Sequence, residues 1–422
     1  MAMQSDNNNS NKGTVAWLLY DWGNSAYATT VIAGFFPVFF KQYWAAGMPA
    51  TESTLQLSMA NSLASLVIVL LAPVLGAIAD QWSARKRFLL FFAFLGVLMT
   101  AMLPLVAQGD WWWAVVFYVI ATIGFSGSVS FYDSLIVFVT TPSRLDLVSA
   151  AGYAFGYLGG GLLFALNVWM TLQPERFGLA DAAEAVRLSF FTVAVWWLIF
   201  TLPLAFFVHE TGRSRGSAWA AVRRGLGQLY GTFHQIRQLR HVFIFLFAYW
   251  CYIDGVDTIV RMAVDYGLSL GFDSNSLIVA LLITQFVGFP AAIAFGYLGK
   301  RIGARRGIFI AIGAYALIVI AAAQMTTQSE FYALAIAIGL VQGGIQSLSR
   351  SYYARLIPQE KSAEFFGFYN MLGKFAAVLG PVMMGWAGAL SGSPRVGILT
   401  LLLLFIAGAL LLSRVPDVAR EG

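Results

Sequence analysis

Hydrophobic residues in this chain gather into long runs, and polar residues are confined to the short stretches between them. Runs of spanning length occur at 15–40, 53–79, 88–107, 111–139, 147–170 and 188–208. Six more follow at 242–264, 276–298, 307–325, 331–350, 364–390 and 396–413. Each is close to the ~20 apolar residues that a helix needs to cross a bilayer core. The pattern predicts an all-α membrane protein of twelve transmembrane helices. It divides the chain into a disordered polar tail (1–13), a six-helix bundle (14–208), a linker (209–241), a second six-helix bundle (242–413) and a short tail (414–422).

Composition agrees with that reading. Of the 422 residues 59% are hydrophobic and 11% charged, against roughly 25% charged in an average soluble domain. This excludes an ordinary soluble enzyme and leaves little length for an extramembrane domain. The net charge of +6 is explained by where the basic residues fall. The side that carries both termini holds 19 of the Lys and Arg residues, and the other side holds four, Lys41, Arg176, Arg187 and Arg395. That asymmetry predicts cytoplasmic termini, and the expected location is a bacterial cytoplasmic (inner) membrane. The N-terminus lacks the order of a cleavable signal peptide.

Other chemistries find no foothold in the sequence. Cys251 is the single cysteine, and His209, His234 and His241 lie in or beside the linker rather than on one helical face, so no metal site is expected. No cofactor motif, nucleotide-binding loop or nucleophile–base signature is present, which predicts neither an enzyme nor direct use of ATP, and no nucleic-acid partner. Within the linker, Trp219, Val222, Leu226, Leu229, Phe233 and Ile236 form one apolar stripe beside several arginines. That is the pattern of an interfacial amphipathic helix or of a loop helix packed on neighbouring helix ends.

A motif occurs twice, 220 positions apart. GAIADQWSARKR (76–87) follows the second run and GYLGKRIGARR (296–306) the eighth. Gly76 superposes on Gly296, Ala84 on Ala304, Arg85 on Arg305 and Lys86 on Arg306. Two parallel halves are the layout of major facilitator transporters, and the first copy resembles that superfamily's signature loop, which latches the cytoplasmic side. In this reading Gly76 permits close helix approach, Asp80 accepts hydrogen bonds or faces the positive end of a helix, and Arg85 and Lys86 belong to the basic cluster. The alternative is that the basic residues only anchor the loop on the positive side. Lys300 replaces the acid in the second copy, which argues against an equivalent latch there. Four further segments, YDWGNSAY (20–27), SAAGYAFGYLGGGLL (149–163), YIDGVDTIVRMA (252–263) and QGGIQSLSRSYYARLIP (342–358), resemble the vacuole effluxer family of autophagy and its bacterial relatives. The resemblance implies amino-acid efflux, as in the fungal branch, while bacterial relatives can carry something else.

Ionisable residues within spans are costly and normally face a cavity or a partner. Asp254, Asp257, Arg261 and Asp265 share one face of the seventh span. Asp257 and Arg261 are spaced as a helical ion pair, Asp254 is the candidate for a proton or a substrate amine, and Asp265 falls near the outer end. Asp21, Asn24 and Ser25 make a polar patch in the first span, and Asp133 lies toward the same end of the fourth. Two such acids want a cation, which Arg350 can supply. Gln342, Gln346 and Arg350 share a face, and Lys374 lies near mid-depth of the eleventh span as a partner for a carboxylate. Gly152, Gly156 and Gly160 form a small-residue packing stripe. The function expected is a secondary transporter that alternates access for a small polar solute, proton-coupled or downhill. Its partners are that solute, protons and the lipid bilayer, with no obligate protein partner. The rival readings are a lipid or lysolipid flippase on the same scaffold and a non-transporting membrane sensor or assembly partner.

Overall fold

The computed structural model describes residues 2–48, 50–210, 239–269 and 274–417; the side chains of some of these, Arg261, Asp265 and Lys374 among them, lie outside the description. The apolar stripe expected within the linker falls on 211–238 and so lies outside it too.

The first bundle holds α1 (Ala2–Ala26), α2 (Ala50–Trp82), α3 (Arg85–Met102), α4 (Trp111–Val139), α5 (Leu145–Leu172) and α6 (Ala182–Phe207). The second holds α7 (Arg240–Ser269), α8 (Ser274–Ile302), α9 (Ala304–Gln324), α10 (Gln328–Leu356) and α11 (Ser362–Ser391). Its last helix, α12, comes in two pieces, Pro394–Leu399 and Leu401–Ser413. Among the described residues ten helices are long and apolar enough to cross a membrane, and α1 and α11 pack among them. In hydrocarbon each backbone group must be satisfied internally, which helices achieve alone. Large apolar side chains such as Leu70, Phe91, Leu317 and Leu403 face outward, where lipid rather than water receives them.

Two local features depart from the simple pattern. α1 is helical from Ala2, through the stretch marked by composition as a tail, and beyond Ala26 it continues as π-helix over Tyr27–Phe35 and Phe40–Trp44. π-Helical insertions are frequent at functional sites, and here Ala28, Thr29 and Ala33 line a cavity.

The helix pairings of the first bundle recur in the second, each shifted by six. α1 packs on α5 and α6, α2 on α4, and α3 on α4 and α6; α7 packs on α11 and α12, α8 on α10, and α9 on α10 and α12. The halves meet where α2 crosses α11 and α5 crosses α8. The repeated glycines sit at those crossings. A Cβ on Gly76 would lie 2.5 Å from the Ala363 carbonyl oxygen of α11, and one on Gly296 would lie 2.5 Å from the Ala150 Cβ of α5. The Gly152, Gly156 and Gly160 stripe packs against α1 beside Trp17 and Ser25.

Candidate functional site

At the centre of the molecule a guanidinium from the second half is sunk into the first. Arg350 of α10 and Asp133 of α4 are almost wholly buried and pair at 2.9 Å. Arg350 Nε donates to Ser149 Oγ at 2.9 Å, and a terminal nitrogen donates to the Ser149 carbonyl at 2.8 Å. Its flat face is enclosed by rings, lying 4.4 Å from the Tyr153 centroid, 4.9 Å from Trp17 and 5.5 Å from Tyr132. Trp17 and Tyr132 stack at 4.2 Å, and the Trp17 indole N–H donates to the Tyr132 carbonyl at 2.9 Å. A planar cation that stays charged and stacks on aromatics suits this place better than an ammonium.

Acids and amides complete the cluster. Asp133 also accepts from Asn370 Nδ2 of α11 at 3.2 Å. Asp21 of α1 accepts from the Tyr132 hydroxyl at 3.2 Å and from Ser25 at 3.3 Å. The two acids and the cation expected near this end are therefore brought together, Asp133 directly and Asp21 through Tyr132. Asn24 is buried elsewhere in the first bundle, beside Tyr20, with Nδ2 lacking a hydrogen-bond partner. It does not line the cavity, because its position on α1 turns it inward.

The cavity, about 310 Å³, begins beside this cluster and runs away from the termini. At its inner end stand Ser25, Tyr153, Gln342 and Gln346, and at the far end Met325 and Phe331. Gln342 Oε1 is buried there without a hydrogen-bond partner. Toward the termini the halves close in successive polar layers. Below Arg350, Asp146 of α5 accepts from Ser351 Oγ at 2.6 Å and pairs with Arg355 at 2.7 Å.

The first repeat loop forms the other closure. Asp80 accepts the Ala363 and Glu364 N–H groups at 3.1 and 2.8 Å, so it caps the first turn of α11, where unsatisfied donors and the positive dipole end await an anion. Arg85 pairs with Asp80 at 2.5 Å, with Glu210 at 3.4 Å, and donates to the Glu360 carbonyl at 2.8 Å. Glu210 in turn accepts the Arg85 and Lys86 backbone N–H groups at 3.1 and 2.5 Å, capping α3. Lys86 Nζ holds the end of α6 through the Ala205 and Val208 carbonyls at 3.2 and 2.8 Å.

Asp254 of α7 is fully buried and accepts from Gly380 N at 3.0 Å and Thr258 Oγ1 at 3.3 Å. Asp257 is half-buried on the next turn. Its expected pairing with Arg261, and the partner expected for Lys374, rest on side chains outside the described residues.

Sequence reasoning missed Ser149, Asn370, Asp146, Arg355, Glu210 and the aromatic box of Trp17, Tyr132 and Tyr153. Glu210 alone carried a readable signal, an acid just past the end of an apolar run. The rest are polar or aromatic residues whose partners are remote in sequence, 115 positions away for Trp17 and Tyr132 and 201 for Ser149 and Arg350.

Comparison with known proteins now joins this geometry. The family described as vacuole effluxer Atg22 like matches residues 43–145 and 140–420. Over 407 residues the chain is 39% identical to an uncharacterized MFS-type transporter, YxiO, of Bacillus subtilis strain 168, covering 95% of this chain and 94% of that one. It is 27% identical over 299 residues to autophagy-related protein 22 of Cryptococcus neoformans, covering 65% of this chain and 54% of that longer protein. Among solved structures it superposes on the human organic anion transporter MFSD10 (TETRAN) with a TM-score of 0.74 at 16% identity, over 96% of this chain and 99% of that one. At such identity the likeness speaks for the fold alone. Two pseudo-symmetric six-helix bundles, each carrying one copy of the repeated loop and tied by a buried inter-half ion pair, thus accompany a match along nearly the whole chain, and the protein belongs to the Atg22-like vacuole effluxer family, transporters of the major facilitator fold.

Proposed function

We propose that this protein is a secondary transporter that moves a small polar solute, of the amino-acid class, out of a bacterial cytoplasm by alternating access. One observation carries the reading. The cavity between the halves runs to one end only, and its other end is closed by an ion pair with one partner from each half. Opening toward the termini requires Arg350 to leave Asp133, so the pair is a gate as well as a tie. Gln342, Gln346 and Ser25 are the groups that meet a solute in the cavity, with Tyr153 between them and the gate. Asp80, with Gly76, Arg85 and Lys86, latches the terminus-bearing end. With cytoplasmic termini, as the basic-residue asymmetry predicts, the closed end faces the cytoplasm in this reading. Protons are the coupling ion in this reading, with Asp21 and Asp254 as the acids that carry them.

Counterflow of labelled amino acids into proteoliposomes tests the proposal. Accumulation driven by preloaded solute is the expected result, and its absence across amino acids, peptides and organic ions overturns it. A second reading, lipid flipping, has one observation in its favour, the apolar far wall formed by Met325, Phe331, Ile398 and Leu401. Flipping of a fluorescent lipid without counterflow would select it.

A further inference from the structure

The carboxylate of Asp254 is only half satisfied. Its Oδ1 accepts two hydrogen bonds, while Oδ2 is buried with no hydrogen-bond partner, and no Lys, Arg or His among the described residues lies within ion-pair distance of it. A lone ionised carboxylate inside a membrane protein is costly. Something positive has to meet Oδ2.

The opposite wall is built to help. Pro381 lies inside the continuous helix α11 and has no N–H to donate to the preceding turn. Gly380 allows the approach, since a Cβ there would collide with Thr258 Oγ1 and fall 2.9 Å from Asp254 Oδ1. Asp254 Oδ2 and Thr258 Oγ1 are oxygen ligands at the crossing of α7 and α11 where Gly380 sits. The titratable neighbours on α7 are Cys251 and Asp257, one turn to either side, and α12 places the Phe405 ring against Gly255. On α11, Lys374 stands six residues before Gly380, roughly 240° around the helix.

We propose that Asp254 and Thr258, where Gly380 meets them, form a monovalent-cation site, for a proton or an alkali ion, that sets how α11 packs on α7. The inference deepens the transporter reading and rests on it for its role in coupling. The same helix carries the contact to Asp80 at its first turn and to Asp133 through Asn370. A shift of α11 at Gly380 therefore reaches both closures along one rod.

Difference infrared spectra of the full-length protein in lipid nanodiscs, wild type minus Asp254→Asn, read the carboxyl stretch of Asp254. The expected result is loss of the protonated band when sodium is added at fixed pH, or when pH is raised without sodium; the first assigns an alkali ion and the second the proton. Thr258→Val keeps the shape of the side chain and should weaken the responding ion by about tenfold, which also guards against misfolding of Asp254→Asn. A band that neither sodium nor pH moves, or an unchanged response in Thr258→Val, overturns the proposal. Because no solute is present, failure of counterflow with an intact infrared response would remove only the transport reading.

Discussion

The two copies of the repeated loop share a packing glycine and a positive-φ turn residue and divide over chemistry. Gly76 and Gly296 both sit where the halves cross, and Ser83 and Gly303, also 220 positions apart, both adopt positive φ, 50° and 95°. In each copy a basic side chain holds the end of the bundle's sixth helix, Lys86 at α6 and Arg305 at the Leu412 and Ser413 carbonyls of α12. The acids differ. In the first copy Asp80 is buried across the interface with Arg85 and Glu210 around it. In the second Lys300 is exposed, Arg306 meets Asp417 in the open at 3.8 Å, and the interface acid is Asp146, supplied by α5 and bonded to α10. Duplication preserved what close packing demands, while the charges were free to move wherever a partner could be found.

The largest effect is expected at Asp80. Asp80→Asn leaves Arg85 buried with Glu210, at 3.4 Å, as its remaining ion-pair partner, and breaking such a pair costs about 3 kcal/mol. Pulsed electron paramagnetic resonance between spin labels on exposed Ser143 and Glu360 should then show the terminus-bearing end opening, whereas Lys300→Ala leaves the distance unchanged. Equal openings in both variants would erase the asymmetry.

Next come the glycines, where the copies should behave alike. Gly76→Ala and Gly296→Ala each force the crossing apart, at roughly 1–3 kcal/mol for an overpacked contact. Thermal unfolding in detergent should show both losses, and tolerance of either substitution contradicts the packing role. Ser83 and Gly303 follow: a left-handed residue other than glycine costs roughly 1 kcal/mol, and Gly303, at φ 95° and ψ 144°, holds a conformation in which a side chain costs roughly 1–3 kcal/mol. Ser83→Gly should raise the unfolding midpoint slightly and Gly303→Ser lower it. Smallest is Arg306→Ala, an exposed pair worth about 0.5 kcal/mol or less; a clear fall in transport would show that the second loop is a latch after all.

Much of the architecture was legible because membrane insertion writes it locally. Span length, the 220-residue repeat and the basic asymmetry are properties of contiguous residues, so the runs from 88–107 to 396–413 anticipate the helices within a few residues. The candidate site was legible only as a set of buried charges. Asp21, Asp133 and Arg350 stood out because each is expensive in hydrocarbon, yet nothing in their spacing says that Asp133 takes Arg350 directly while Asp21 reaches it through Tyr132. Asn24, less than one helical turn after Asp21 in the same polar patch, turned inward instead.

From the sequence alone came the all-α membrane class, the two halves and the acid at the first loop, because hydrophobicity, repetition and charge are carried by the chain itself. The tertiary structure decided which end of the cavity is closed, that Glu210 and Asp146 join the closures, and that Asp254 meets Gly380 across 126 positions. Those pairings depend on helix rotation and crossing points, which no one-dimensional pattern contains.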